Sequence, residues 1–133
     1  MLIKAYYLNG GAETPLLDTF SRRDLREFPD DVLDVIGRAL DEAQWGRKPH
    51  QAKPLKGFGG AGLLEIVDDH EGSAYRAVYT VRFPKALYVL HCFQKKSKKG
   101  IATPKPDLDL IKSRLADAEK DYEKWIEEND EEA

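Results

Sequence analysis

Apolar and polar positions alternate with period two in some stretches of this chain and recur every three to four residues in others. The first pattern predicts strands and the second helices. Residues 2–8 read as a first strand, with Tyr6 and Tyr7 as half-buried aromatics, and Asn9-Gly10-Gly11 ends it with residues that tolerate positive φ. Residues 16–27 read as a helix whose start could be capped by either Asp18 or Ser21. Phe28-Pro29-Asp30 then breaks the chain and opens a second helix, with Pro29 near the first helical position and acids in the first turn. Val32, Leu33, Ile36, Ala39, Leu40 and Ala43 make its apolar stripe, and Gly46 is placed to stop it. Two short helices joined at a proline predict a helical hairpin lying on a sheet.

Residues 62–67, 74–82 and 86–93 predict three consecutive strands. The polar segment 68–73 and the short segment 83–85 are their turns, so the expected arrangement is an antiparallel meander with 74–82 in the middle. On that middle strand Tyr75, Ala77, Tyr79 and Val81 share one face, and Arg76, Val78, Thr80 and Arg82 share the other. Arg76 therefore either pairs with an acid such as Glu65 or lines a polar groove. After Ile101-Ala102-Thr103-Pro104-Lys105-Pro106, held extended by its prolines, residues 107–128 predict a long helix. Leu108, Ile111, Leu115, Ala118, Tyr122 and Trp125 fall on one face of it, expected to pack on the chain's own sheet.

Composition makes this a water-soluble globular chain: 133 residues, 41% hydrophobic and 34% charged, long enough to bury a core as one domain. One cysteine, Cys92, rules out an internal disulfide framework and fits a reducing, cytoplasmic setting. No apolar run approaches the ~20 residues of a membrane span, and the N-terminus lacks the pattern of a secretory leader. The expectation is a single domain over 1–128, with 129–133 as a frayed acidic tail and no membrane contact. The net charge of −3 hides two unlike parts. Residues 1–106 carry 17 Lys and Arg against 13 Asp and Glu, whereas residues 107–133 carry 4 against 11. Within 43–99 the balance is 11 against 4, so the middle of the chain is basic and the end acidic. Screening over about 8–10 Å lets such a local patch act independently of the total.

The densest positive cluster is Lys95, Lys96, Lys98 and Lys99, placed where an apolar strand ends. Cations at the end of a rigid element suit a preorganised grip on an anion. The alternative is a central strand whose exposed exit happens to be basic. Other motifs carry less. Gly57-Phe58-Gly59-Gly60-Ala61-Gly62 is followed by a strand, whereas phosphate-cradling loops follow a strand and open a helix, so it reads as a flexible lead-in. His50, His70 and His91 with one cysteine make no metal-ligand spacing. His91 alternates with apolar neighbours, which fits a satisfied core histidine better than a catalytic one. No serine elbow or paired-carboxylate spacing suggests ester or glycoside hydrolysis. The remaining set is basic: Lys53, Lys56, Arg76, Lys95, Lys96, Lys98 and Lys99, which a meander could gather at one edge as a cradle for a phosphodiester.

Four segments in order, Lys53-Pro54-Leu55-Lys56-Gly57, Gly62-Leu63-Leu64-Glu65, Tyr75-Arg76-Ala77-Val78-Tyr79 and the run from Tyr88 to Lys99, resemble the RelE/HigB-type toxins, and look closest to their phage-derived Gp49-like branch. The resemblance covers about residues 50–105. It implies an α+β, RelE-like domain: a helical hairpin packed on a curved, mainly antiparallel sheet, with a long C-terminal helix. It implies the toxin of a type II toxin–antitoxin system, a ribosome-dependent mRNA endoribonuclease that needs no metal or other cofactor. The 2′-OH is activated, the phosphate charge stabilised and the leaving oxygen protonated. Its partners would be the ribosome with its mRNA and a cognate antitoxin, a small helix-turn-helix protein. Carried over by position, Arg76 is the phosphate-stabilising group, Lys56, Lys95 and Lys96 are further catalytic cations, and Glu65 stands where some relatives carry a base. Lys53, Lys98 and Lys99 would contact RNA.

Two departures stand beside this resemblance. Relatives often carry an aromatic acid or base near the end of the last strand, where this chain has Phe93-Gln94-Lys95. The C-terminal helix is also acidic, unlike the usual basic toxin. A second reading therefore stands next to the nuclease: a catalytically inactive RelE-like module that binds protein or RNA, its lysines touching only backbone phosphates.

Overall fold

The protein is described by a computed structural model that covers residues 6–7, 24–60, 62–83, 86–96 and 103–129. Its fold is α+β, an open four-stranded antiparallel sheet with helices that include a long C-terminal one. Strand β1 (Tyr6–Tyr7) is the described part of the expected first strand, and residues 24–26 are the described part of the first helix of the hairpin. The next elements are α1 (Asp30–Gln44), β2 (Ala52–Pro54), β3 (Leu63–His70), β4 (Ser73–Thr80), β5 (Ala86–Leu87), β6 (Val89–Lys96) and α2 (Lys105–Asn129).

Helix α1 starts at the proline break as its sequence predicts. Pro29, at φ −58° and ψ 150°, is the residue just before the first turn, and Asp30 and Asp31 lie at the helix's positive end. The chain leaves α1 through a hydrogen-bonded wrap: the Gly46 N–H donates to the Ala43 carbonyl and the Arg47 N–H to that of Glu42, with Gly46 at φ +83°. That pairing satisfies the last carbonyls of the helix and needs a residue without Cβ strain.

The main sheet runs β2-β3-β4-β6, so β4 lies between β3 and β6 as the meander predicts. Three features differ from the sequence reading. The basic connection 47–56 contains a short edge strand, β2, whose pairing turns the glycine-rich segment into the loop of a β2–β3 hairpin. Gly62 in that loop is required rather than merely flexible: its φ is +77°, and a Cβ there would lie 2.7 Å from the Arg82 Cβ. Secondly, the turn between β3 and β4 is two residues long, not six. Glu71 and Gly72 adopt φ 49° and 84°, the paired positive values that match the twist of a tight hairpin, so Asp68, Asp69 and His70 stay in the ladder. Thirdly, the strand expected over 86–93 splits. β5 pairs with β1, and Tyr88 turns back onto the end of β4, exchanging 3.0 Å hydrogen bonds with Thr80 through its N–H and its carbonyl.

The alternation along β4 sends its two faces into two cores. Tyr75, Ala77 and Tyr79 pack with Val32, Ile36, Ala39, Leu40, Ile66, Leu87, Val89 and Cys92 beneath α1. Val78 packs with Leu63, Phe83, Tyr88, Leu90, Ile111 and Ala118 beneath α2. Val81, expected on the α1 face, lies past the end of β4 and is 54% exposed. Helix α2 docks through Ile111 and Ala118, a 3.0 Å Arg82–Glu119 ion pair, and a 2.7 Å hydrogen bond from the Tyr88 hydroxyl to Asp121. Leu108, Leu115, Tyr122 and Trp125 are only half-buried. Length explains this: 25 helical residues span about 37 Å and an eight-residue strand about 26 Å, so the helix overhangs the sheet it covers. No helix among the described residues is long and apolar enough to cross a membrane.

Candidate functional site

Register places the chemistry on the α2 face, at the end of the sheet away from the Tyr88 core. Residues opposite one another in antiparallel strands share a face. Lys53, Glu65, Val78 and His91 form one row across β2, β3, β4 and β6. Val67, Arg76 and Phe93 form the next, and Asp69, Ala74 and Lys95 the one after. Arg76 reaches diagonally to Glu65, with a 3.1 Å contact from Nη1 to Oε2. Both side chains are largely buried, 12% and 6% exposed, so the pair is shielded from screening by water. The Arg76 Nε–H is buried and has no hydrogen-bond partner among the described residues.

Lys95 stands one row beyond Arg76 and is half-buried. Its ammonium is pushed below the ordinary lysine value, first by partial desolvation and then by the Arg76 charge, against the opposing pull of Asp107 and Glu65. A lysine so destabilised gives up its proton more readily.

The first turns of α2 close over this half of the face. Asp107 Oδ1 lies 2.7 Å from His91 Nε2, and the ring stacks on Phe93 at 4.7 Å between centroids. Arg114 donates to the Leu90 carbonyl at 2.8 Å and approaches His91 Nδ1 at 3.5 Å. Leu90 is the extra residue of a bulge between the Val78–His91 and Tyr79–Val89 pairs, so Arg114 serves a carbonyl where the ladder slips. A carboxylate only accepts and a guanidinium only donates, which assigns the proton to Nε2 and leaves Nδ1 facing Arg114. Burial lowers the His91 pKa more than Asp107 raises it, so the ring favours its neutral form. His91 is the satisfied core histidine that its alternation predicts, and it pins α2 beside the Arg76 pair.

Arg76, Glu65 and Lys95 are thus brought together, with Lys53 beside Glu65 on the edge strand. Lys96 is the next residue of β6, at the register position of Ser73. Lys56 is exposed in the β2–β3 loop, three residues past Lys53 and about 10 Å further from the Lys95 end. Lys98 and Lys99 lie outside the described residues. Asp107 and Arg114 are the site neighbours that sequence reasoning missed. They are seven residues apart, two helical turns on one face, and that spacing next to an apolar stripe was the available signal. Among the described residues no group of three or more His, Cys, Asp or Glu side chains forms a metal-ligand set.

What the fold and site define is a small α+β protein with a buried Arg–Glu pair and a perturbed lysine on one half of an open sheet. The family model described as Phage derived protein Gp49-like (DUF891) matches residues 23–116, well over half the chain and the whole of the site as far as Arg114. The chain belongs to that family, which is associated with RelE/HigB-like toxins. Neither the curated proteins nor the solved structures contain a match to it.

Proposed function

We propose that this chain is the toxin of a toxin–antitoxin pair and cleaves mRNA on the ribosome by metal-independent attack of the 2′-OH. Arg76 carries the reading: a buried guanidinium, oriented by Glu65, with a donor that no group among the described residues uses. A phosphate oxygen is the acceptor whose charge would complete it. As the 2′-OH gives up its proton to solvent water and its oxygen bonds to phosphorus, negative charge grows on the phosphoryl oxygens, and a preorganised guanidinium stabilises it. The P–O5′ bond then breaks, leaving a 2′,3′-cyclic phosphate, and Lys95 is the group assigned to protonate the departing 5′ oxygen. Lys53, Lys56, Lys96, Lys98 and Lys99 contact the RNA backbone. The natural partners are the ribosome and a small helix-turn-helix antitoxin that neutralises the toxin.

A second reading has one observation in its favour: Arg76 already has a carboxylate partner, as a structural salt bridge would, and His91 has both ring nitrogens engaged. On that reading the fold binds RNA or protein without cutting. Expression without antitoxin separates the two. The nuclease predicts growth arrest and mRNA cut within codons only while translated, with Arg76→Ala lowering the cleavage rate by about 10²–10³. A wild-type chain that accumulates folded, is harmless and leaves translated mRNA intact would establish the binding module instead.

A further inference from the structure

The loop between α1 and β2 has no part in that site, yet it presents the most exposed large apolar side chain among the described residues. Trp45 is 58% exposed, more than Val81 or Leu110. A lone apolar residue on a surface is ordinary. Its setting here is not. Trp45 caps α1, and the wrap that follows is held by backbone bonds of 3.0, 3.0 and 3.1 Å from Trp45, Gly46 and Arg47 to the Glu42 and Ala43 carbonyls. Pro49 is buried, and its carbonyl accepts from the Ala52 N–H at 3.0 Å, so the loop is anchored at both ends. Arg47, Lys48 and His50 are all exposed on it. No acid occurs between Glu42 and Glu65, a stretch that holds four lysines and arginines. Along the sequence the nearest preceding acids, Asp41 and Glu42, stand on the last turn of α1, before the wrap, and on the neighbouring strand Asp68 follows Val67, whose N–H meets the Gln51 carbonyl at 3.4 Å.

We propose that this loop is a second RNA-binding surface, on which Trp45 stacks on an unpaired base while Arg47, Lys48 and His50 hold the adjoining phosphates. An exposed aromatic face beside cations on a rigid frame is the combination that grips single strands, because every base has a π-face and every nucleotide a charge. An acidic peptide would satisfy the cations and leave the indole face without a stacking partner. The surface is separate from the Arg76 cluster: that cluster lies on the α2 face, while Trp45 closes the helix that covers the other one. Lys53 on the edge strand stands between them, where one strand of RNA could pass from one to the other. The choice of RNA over DNA rests on the nuclease reading; the stacking surface does not.

The full chain with Trp125→Phe leaves Trp45 as its one tryptophan, so its emission reports directly on the loop. A short mixed-sequence oligoribonucleotide should quench it, and anisotropy of labelled RNA should show Trp45→Ala weakening binding about tenfold, the loss of one stacked base. Arg47→Ala with Lys48→Ala should reduce the salt slope by about 1.4, as expected for two phosphate contacts on a single strand. Trp45 is exposed, so unchanged circular dichroism will separate this loss from unfolding. Glu65→Gln/Arg76→Gln, which cannot cleave, should still be quenched by the oligoribonucleotide, so the loop is read independently of cleavage. Trp45 emission unmoved by RNA, or Trp45→Ala binding within twofold of the parent, overturns the proposal. So does quenching by polyglutamate or by DNA in place of RNA, which would assign the loop to an acidic protein or to DNA.

Discussion

The two faces of the sheet are built from the same strands by the same alternation, yet they differ in kind. Beneath α1 the face is dry over its centre, from Val32 and Ile36 on the helix to Ile66, Ala77 and Val89 on the strands, all 2% exposed or less, and Asp68, His70 and Gln94 stand only at its rim, with no buried ion pair among them. Beneath α2 it is apolar only at one end. At the other, Glu65, Arg76, His91, Lys95, Asp107 and Arg114 replace hydrocarbon with ions and an imidazole. Burying ions is costly unless each finds a partner, so this half-face is held by specific pairs and the other by area. A fold can keep one face for stability and use half of the other for chemistry.

The largest expected effect tests that division at its most charged point. Arg76→Ala strands the Glu65 carboxylate in a dry site and should cost about 3–5 kcal/mol in urea unfolding, whereas Glu65→Gln/Arg76→Gln should stay within about 1 kcal/mol of the parent. Equal stability of Arg76→Ala and the parent would mean that water reaches the pair and that the two faces do not differ as described. The same result identifies the double variant as the cleaner probe of cleavage, since it removes the charge without leaving one behind. On the dry face, Ile66→Ala should cost about 2–5 kcal/mol with an unchanged denaturant slope, and no second substitution on that face should rescue it by charge compensation.

A smaller effect follows from His91. Its pKa is lowered in the fold below the ordinary 6.5, chiefly by burial, with Asp107 raising it and Arg114 and burial lowering it. Below that value the unfolded chain takes up a proton that the folded chain resists, so stability falls as pH drops through 6.5 and below. Thermal midpoints at about pH 5 and about pH 7.5 should therefore differ more for the parent than for His91→Gln. The smallest effect belongs to Tyr79 on the α1 face, whose buried hydroxyl has no hydrogen-bond partner among the described residues. Tyr79→Phe should be neutral or stabilising by up to about 1 kcal/mol, because it removes an unsatisfied polar group. Burial raises the phenol from 10 to about 12, so the parent alone should gain an extra loss of stability as pH rises through that interval.

Much of this architecture follows from local pattern. The helical stripe from Val32 to Ala43, the two faces of β4 and the central place of that strand are set by period and parity, which short stretches of sequence determine by themselves. Family membership was legible for a related reason, since it rests on the order of four segments. What needed the tertiary structure was everything depending on register and on contacts between distant segments. β2 is three residues long and has no pattern of its own; it exists because β3 offers it an edge. The tight turn was hidden because Glu71 takes a left-handed conformation that sequence assigns to glycine, so acids that belong to the strand looked like loop. The lysines read alike in sequence, but pairing sends Lys56 towards one end of the sheet and Lys95 to the other. The His91–Asp107–Arg114 contacts join residues 16 to 23 apart through a bulge and a helix docking that no local propensity encodes. Sequence alone determined which side of each element faces inward, because that depends on neighbours in the chain. Only the folded sheet decided which charges meet, because that depends on register, and a shift of one residue would have turned Arg76 into the opposite core.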